Sequence, residues 1–235
     1  MISPLVTGPW LELDETESTQ EAARALLASG EPAGVVFAHH QTRGRGRFER
    51  SWHSQRGESL TMSLVFGHYA DHPRPWLIGM AVAIAAAGAA HSRLMWPNDL
   101  MLDGKKLGGI LTELIPDSHG RRIPVVGVGI NVGSLDLPTE LADRATSLAL
   151  HRPGEYSPTS LAREIVARIS DLPEPTDWPA LRAAWMLFDA TPGKRYLLAS
   201  GEEAVAIGLG PTGELLCSVD GETRSVLAAE AMGFD

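Results

Sequence analysis

Residues 41–56 read QTRGRGRFERSWHSQR, in which Arg43, Arg45, Arg47, Arg50 and Arg56 stand against a single acid, Glu49. Gly44 and Gly46 alternate with the arginines and let the backbone come close to a ligand, so main-chain N–H groups and guanidinium forks can converge on an anion such as a triphosphate or an acyl phosphate. Trp52 adds an aromatic face suited to a nucleobase. A solvated Arg–Gly loop would show the same spacing. A second stretch, WPNDLMLDGKKLGGILTE over 96–113, holds Lys105 and Lys106, two of the three lysines in the chain; the third is Lys194. Where arginine is otherwise preferred, a retained lysine suggests a need for a compact ammonium, with chance composition as the competing reading. Gly108 and Gly109 leave room for a ligand beside Lys106. In a third stretch, Asn131 ends a strand among Gly127, Gly129 and Gly133.

Other motifs fall away on context. The glycines of Gly208-Leu-Gly210-Pro-Thr-Gly213 match a dinucleotide fingerprint, but Pro211 and the flanking strand patterns make a hairpin turn. Gly127 to Gly133 leads into SLDLP rather than a helix, and no GxxxxGK[ST] loop or GxSxG elbow occurs. His68 and His72 lack the intervening Glu of a zinc helix. His39 and His40 end a strand, where alternation turns one of them away from any site, and both read as structural. Cys217 stands alone, which excludes an intramolecular disulfide and paired-cysteine zinc sites.

These residues need a scaffold. The capping pattern Ser18-Thr19-Gln20-Glu21 predicts a helix that Gly30 ends, followed by a strand over 35–38 that runs into the basic stretch. A strand over 60–66 precedes a long apolar helix over 76–90, too short and too rich in Ala and Gly to span a bilayer. A short strand at 94–96 is stopped by Pro97-Asn98-Asp99, and strands over 107–114 and 123–132 pair as a hairpin. Helices follow over 158–172 and 178–188, and beyond Pro192 the pattern changes to short strands. The expected division is a domain over 1–189 and a small β-barrel over 190–235. The 235 residues, 44% hydrophobic and 21% charged, suffice for a full core. A net charge of −9 argues against a general nucleic-acid binder, and with no signal peptide visible the expected compartment is the cytoplasm.

Taken in order, Glu17-Ser18-Thr19, GRGRxxRxW, LxMSLxF, WPNDLxxxxKKLGGILTEL and GVGINV resemble the biotin protein ligases, that is, biotin–[acetyl-CoA-carboxylase] ligases, over nearly the whole chain. The resemblance implies an α+β fold: a mixed β-sheet flanked by helices, of the class II synthetase-like biotin/lipoate ligase type, with a C-terminal Src-homology-like barrel. It implies ATP and biotin as substrates, Mg²⁺, and a biotin carboxyl carrier protein of acetyl-CoA or a related carboxylase as partner. Biotin carboxylate would attack the α-phosphate to give biotinyl-5′-AMP, which a carrier lysine then attacks. Like charges at about 4 Å and an effective dielectric near 20 repel by roughly 4 kcal/mol per pair, so cations are required.

By family position, Lys106, Arg45 and Arg47 would be catalytic, with Lys106 at the biotin carboxyl and the α-phosphate. Gly44, Arg45, Gly46 and Arg47 would close over biotin and the adenylate, and Ser18, Thr19, Gln20, Gln41 and Gly109 would complete the biotin site. Arg50 would reach pyrophosphate, Trp52 would pack on the adenine side, and Asn98 and Asn131 would line the nucleotide pocket. Asp99 is a candidate Mg²⁺ ligand, with a loop-fixing role as its alternative.

Three positions depart from the family pattern: Glu49 stands where glycine is common, Arg43 stands where a small residue is frequent and would restore the loop's charge, and Thr61 stands where an aromatic or bulky side chain near the biotin wall is frequent. Ser18-Thr19 begins too early to follow a DNA-binding domain, so the expectation is a short form that is a ligase without a repressor function, contacting neither nucleic acid nor membrane. Monomer and homodimer both stay open. The neighbouring alternative is a lipoate- or octanoate-protein ligase of the same fold. More distant ones are a nucleic-acid module built on the arginine loop and a non-catalytic biotin binder.

Overall fold

A computed structural model describes residues 6–134, 143–175, 177–228 and 231–233. Its central sheet runs, edge to edge, β1 (Trp10–Leu13), β2 (Val35–Ala38), β5 (Ser59–Val65), β9 (Arg122–Asn131), β8 (Lys105–Pro116), β7 (Asp99–Leu102) and β6 (Arg93–Met95). β1 and β2 are parallel and the remaining pairs antiparallel, which makes the sheet mixed as expected. The β8–β9 hairpin forms with Gly109 opposite Gly129. The short strand β6 ends before Pro97 as expected, and the turn, with its cis Trp96–Pro97 peptide, brings the chain straight back into β7 from Asp99. The expected loop of basic residues contains a miniature hairpin, β3 (Gly44–Arg45) against β4 (Ser51–Trp52).

Side chains alternate between the two faces of a strand. On one face Phe37, Met62, Leu64, Val126, Val128 and Ile110 share one core with α2 (Trp76–Ala90). That helix is apolar all round and therefore has to be covered on every side. α4 (Pro158–Ile169) and α5 (Trp178–Met186) supply the cover, each ending before the span expected from its sequence, and a short α3 (Leu148–His151) precedes them. On the other face α1 (Thr19–Ser29) packs Ala23 and Leu27 on Val36, Val65, Ile115, Ile123 and Val125. It covers only one end of that face. Toward the other end the same rows continue as Leu111 and Gly109 on β8 and as Gly127, Gly129 and Asn131 on β9.

The C-terminal strands β10 (Arg195–Leu198), β11 (Glu203–Leu209), β12 (Leu215–Val219), β13 (Glu222–Val226) and β14 (Ala231–Gly233) form an antiparallel sheet, consistent with the small barrel expected there. Three indole N–H groups fasten its β11–β12 turn to the rest of the chain: Trp178 donates to the Gly210 carbonyl, Trp76 to Thr212 and Trp96 to Gly213. The GLGPTG string is thus a hairpin turn that accepts tryptophan hydrogen bonds. Among the described residues no helix is long and apolar enough to cross a membrane.

Candidate active site

The uncovered end of the sheet forms the floor of a cavity of about 490 Å³, a size suited to a small-molecule ligand. Each of three floor glycines faces a side chain singled out above. A Cβ on Gly127 would touch Gln20, one on Gly129 would lie 2.6 Å from the Trp52 indole, and one on Gly109 would meet Asp99 and Lys106. Gly129 in particular lets the indole lie against the sheet, where a Cβ would collide with it.

One end of the cavity is polar but uncharged. Ser18 caps α1 by accepting from the Gln20 N–H. This sets the first helical residues against the sheet. Gln41 Oε1 then accepts from both the backbone N–H and the hydroxyl of Thr19, at 2.7 and 3.1 Å, and the Ser63 hydroxyl donates to Thr19 at 2.8 Å. Gln20 donates to the Leu111 and Val125 carbonyls, and its Oε1, buried at the cavity, has no hydrogen-bond partner; the same is true of Trp52 Nε1. A buried acceptor left in this way at the uncharged end suits a neutral ligand that donates an N–H.

The other end is cationic. Lys106 Nζ lies 2.6 Å from Asp99 Oδ1. Arg47 donates to Asn98 Oδ1 and to the Ala228 carbonyl, and Asn98 in turn donates to the Ile110 carbonyl. Burial lowers the Arg47 pKa and the nearby Asp99 carboxylate opposes that shift, so the guanidinium is partly stripped of water yet keeps its charge. Asn131 donates to the Thr146 carbonyl at 3.0 Å.

The corner at Trp96 is held from outside. Its N–H donates to Thr191 Oγ1, and its carbonyl accepts from Tyr196 Oη at 2.6 Å. Burial, with Asp99 and Asp189 nearby, raises the Tyr196 pKa, so the phenol stays a donor. Tyr196→Phe leaves that carbonyl buried without its partner, and a loss of about 1–3 kcal/mol in denaturant unfolding is expected. An unchanged midpoint would show that the corner does not depend on this bond.

Of the predicted site residues, Ser18, Thr19, Gln20, Gln41, Arg45, Gly46, Arg47, Arg50, Trp52, Asn98, Asp99, Lys106, Gly109 and Asn131 all line the one cavity. Gly44 does not. It pairs with Trp52, whose carbonyl a Cβ would approach to 2.6 Å, so its place is in the hairpin. Arg45 reaches the cavity, but its guanidinium bridges Glu21 and Glu113 at 2.9 and 2.8 Å and so pins the hairpin to α1 and β8. Glu21, expected to close the capping box, is diverted to Arg24 and Arg45. Thr61 is buried, is not among the residues lining the cavity, and donates to the Ala38 carbonyl. The side chain of Glu49 lies outside the described residues. His39 and His40 pair with Glu12 and Glu15, in keeping with their structural reading.

Sequence reading missed Glu21, Glu113 and the 143–145 segment. An acid two residues beyond Leu111 shares its face of β8, which was a usable signal for Glu113. Nothing local marks 143–145. Among the described residues no three His, Cys, Asp or Glu side chains gather as a metal cage.

Comparison with known proteins agrees with this geometry. Residues 12–131 match the Biotin/lipoate A/B protein ligase family. The bifunctional ligase/repressor BirA of Bacillus spizizenii is 39% identical over 145 residues, 58% of this chain and 45% of that one, so this chain spans just under half the length of that relative. The biotin–[acetyl-CoA-carboxylase] ligase of Mycobacterium tuberculosis is 33% identical over 95% of this chain and 89% of its own. The solved biotin protein ligase from Aquifex aeolicus in complex with biotin and ATP superposes with a TM-score of 0.76 at 25% identity, covering 96% of this chain and 98% of that one. With its mixed sheet, its glycine-floored cavity and the matched segment coinciding, the chain belongs to the biotin/lipoate A/B protein ligase family.

Proposed function

We propose that the chain is an ATP-dependent ligase that activates biotin as biotinyl-5′-AMP and transfers it to a lysine of a biotin carboxyl carrier protein. The observation that carries this reading is the polarity of the cavity: an uncharged, hydrogen-bonding end at Thr19, Gln20 and Gln41, and a cationic end at Lys106 and Arg47. Biotin has the matching form, a neutral ureido ring at one end and a carboxylate at the other.

In the first step a biotin carboxylate oxygen bonds to the α-phosphorus and the bond to pyrophosphate breaks. Lys106 would stabilise the charge gathering between carboxylate and phosphate, with Asp99 fixing its ammonium. Arg50 would face the departing pyrophosphate, and Trp52 and Asn131 would flank the nucleotide. In the second step a lysine amine attacks the acyl carbon, AMP leaves on its phosphate oxygen, and the amine proton passes to solvent. Mg²⁺ would arrive on the nucleotide, since it keeps phosphate and water oxygens readily and Asp99 is already engaged by Lys106. Residues 1–189 would carry the chemistry and 190–235 would brace it, in the cytoplasm. Every residue invoked comes from one chain, so the reading needs no second copy.

The partner in this reading is a protein rather than a nucleic acid. Arg43 faces Glu17, Arg45 faces Glu21 and Glu113, and Arg56 faces Asp14 and Glu15, so carboxylates neutralise much of the basic stretch locally. The test is pyrophosphate–ATP exchange with biotin, lipoate or octanoate as the activated acid. Exchange that depends on biotin is expected. Exchange with lipoate or octanoate, but none with biotin, would transfer the assignment to the acyl-ligating branch of the family.

A further inference from the structure

Behind the cationic wall lies a chain of three side chains not assigned any role above. His151 Nδ1 is 3.1 Å from Asp103 Oδ2, and His151 Nε2 is 2.8 Å from Thr146 Oγ1. A carboxylate only accepts, so Nδ1 carries the proton facing Asp103, and Nε2 shares a hydrogen bond with the Thr146 hydroxyl. The order Asp–His–hydroxyl resembles a nucleophilic triad, but Thr146 is 2% exposed and does not line the cavity. Its hydroxyl has no substrate to attack.

Its surroundings give the chain a different task. The backbone of 144–146 lies alongside Lys106: the Lys106 N–H donates to the Arg144 carbonyl and the Thr146 N–H donates to the Lys106 carbonyl, both at 2.9 Å. The Thr146 carbonyl also accepts from Asn131. One short segment thus holds the main chain of the catalytic lysine and the side chain of a nucleotide-pocket residue. Asp103, at the far end of the chain, sits in the β7–β8 turn that leads directly into Lys105 and Lys106. His151 joins that turn to that segment.

We infer that His151, through Thr146 and Asp103, is a positioning residue that holds Lys106 and Asn131 in register on the nucleotide side of the cavity. This rests on the ligase reading. Biotin binding at the Thr19–Gln41 end, formed from α1 and the basic hairpin, does not pass through this link.

The test compares His151→Ala, Thr146→Val, their double variant and Thr146→Ser with the unaltered full chain. It measures biotin-dependent pyrophosphate–ATP exchange, and biotin affinity without nucleotide. Losing one neutral buried hydrogen bond corresponds to roughly a three- to tenfold change. His151→Ala and Thr146→Val are each expected to lower kcat/KM for ATP by about that factor, with biotin affinity within about twofold. The double variant should be no worse than the poorer single one, because both remove the same link. Thr146→Ser keeps the hydroxyl and should retain exchange. Unchanged kcat/KM for ATP, fully additive losses, an equal loss of biotin affinity, or a Thr146→Ser variant as poor as Thr146→Val would each overturn the inference. Absence of biotin-dependent exchange in the unaltered chain would overturn the ligase reading itself.

Discussion

Lys106→Ala is expected to slow biotin adenylation by roughly 10²-fold or more, the scale of removing one preorganised transition-state donor. The local geometry adds to that loss. Lys106 Nζ is the partner of Asp99 at 2.6 Å, and the Asp99 side chain is only 22% exposed. Deleting the ammonium therefore also leaves a carboxylate pointing at the place where a second carboxylate must meet a phosphate. Two like charges then face each other across a few ångströms, in a site where water screens them weakly. Pairing the substitution with Asp99→Asn should recover part of the rate by removing the exposed negative charge, though not the missing donor. Single-turnover formation of the adenylate at saturating biotin and ATP measures both effects. A Lys106→Ala rate equal to that of the unaltered chain would mean that the catalytic cation lies elsewhere.

Much of this arrangement was legible because it lies in local strings. The glycine alternation on β9 follows from strand periodicity alone, whereas Lys106 shares the cavity face with Gly109 because Leu107 is an extra residue in β8, a bulge against β7. The long apolar helix over 76–90 likewise announces its own burial. What escaped depends on contacts distant in sequence. β1 is a four-residue edge strand whose partner lies beyond α1, and β3 and β4 are two residues each, too short to leave a period. Pro97 normally ends a strand, and here it sits in the turn that joins two. Arg45 and Glu113 are 68 residues apart, and no spacing rule links them. The sequence marks Arg45 as a cation; only the fold shows that its charge is held by two acids and that Arg47 is the arginine turned toward the cavity's cationic end.

That difference between two arginines in one loop leads to a second large effect. Arg47→Ala is expected to speed release of biotinyl-5′-AMP by roughly 10- to 10²-fold, the scale of one or two hydrogen bonds to a charged group. The guanidinium spans three parts of the structure: it leaves the basic hairpin, reaches Asn98 at the β6–β7 turn, and donates to Ala228 at the edge of the C-terminal sheet. Its removal takes away one of the cations facing the acyl phosphate and also releases the hairpin from the wall it closes against. The ureido ring of biotin would be held at the opposite end, by Thr19, Gln20 and Gln41, none of which bonds to Arg47, and Lys106 would still meet the carboxylate. Biotin affinity should accordingly change by less than about threefold, within the spread of a single weak hydrogen bond. Arg45→Ala serves as the contrast. It unpins the same hairpin from Glu21 and Glu113, near α1, and should weaken biotin and adenylate together. Rapid dilution of the loaded enzyme, followed by separation of bound from free adenylate, gives the release rates. Equal release from Arg47→Ala and the unaltered chain would show that Arg47 retains the adenylate neither by its charge nor by anchoring the hairpin.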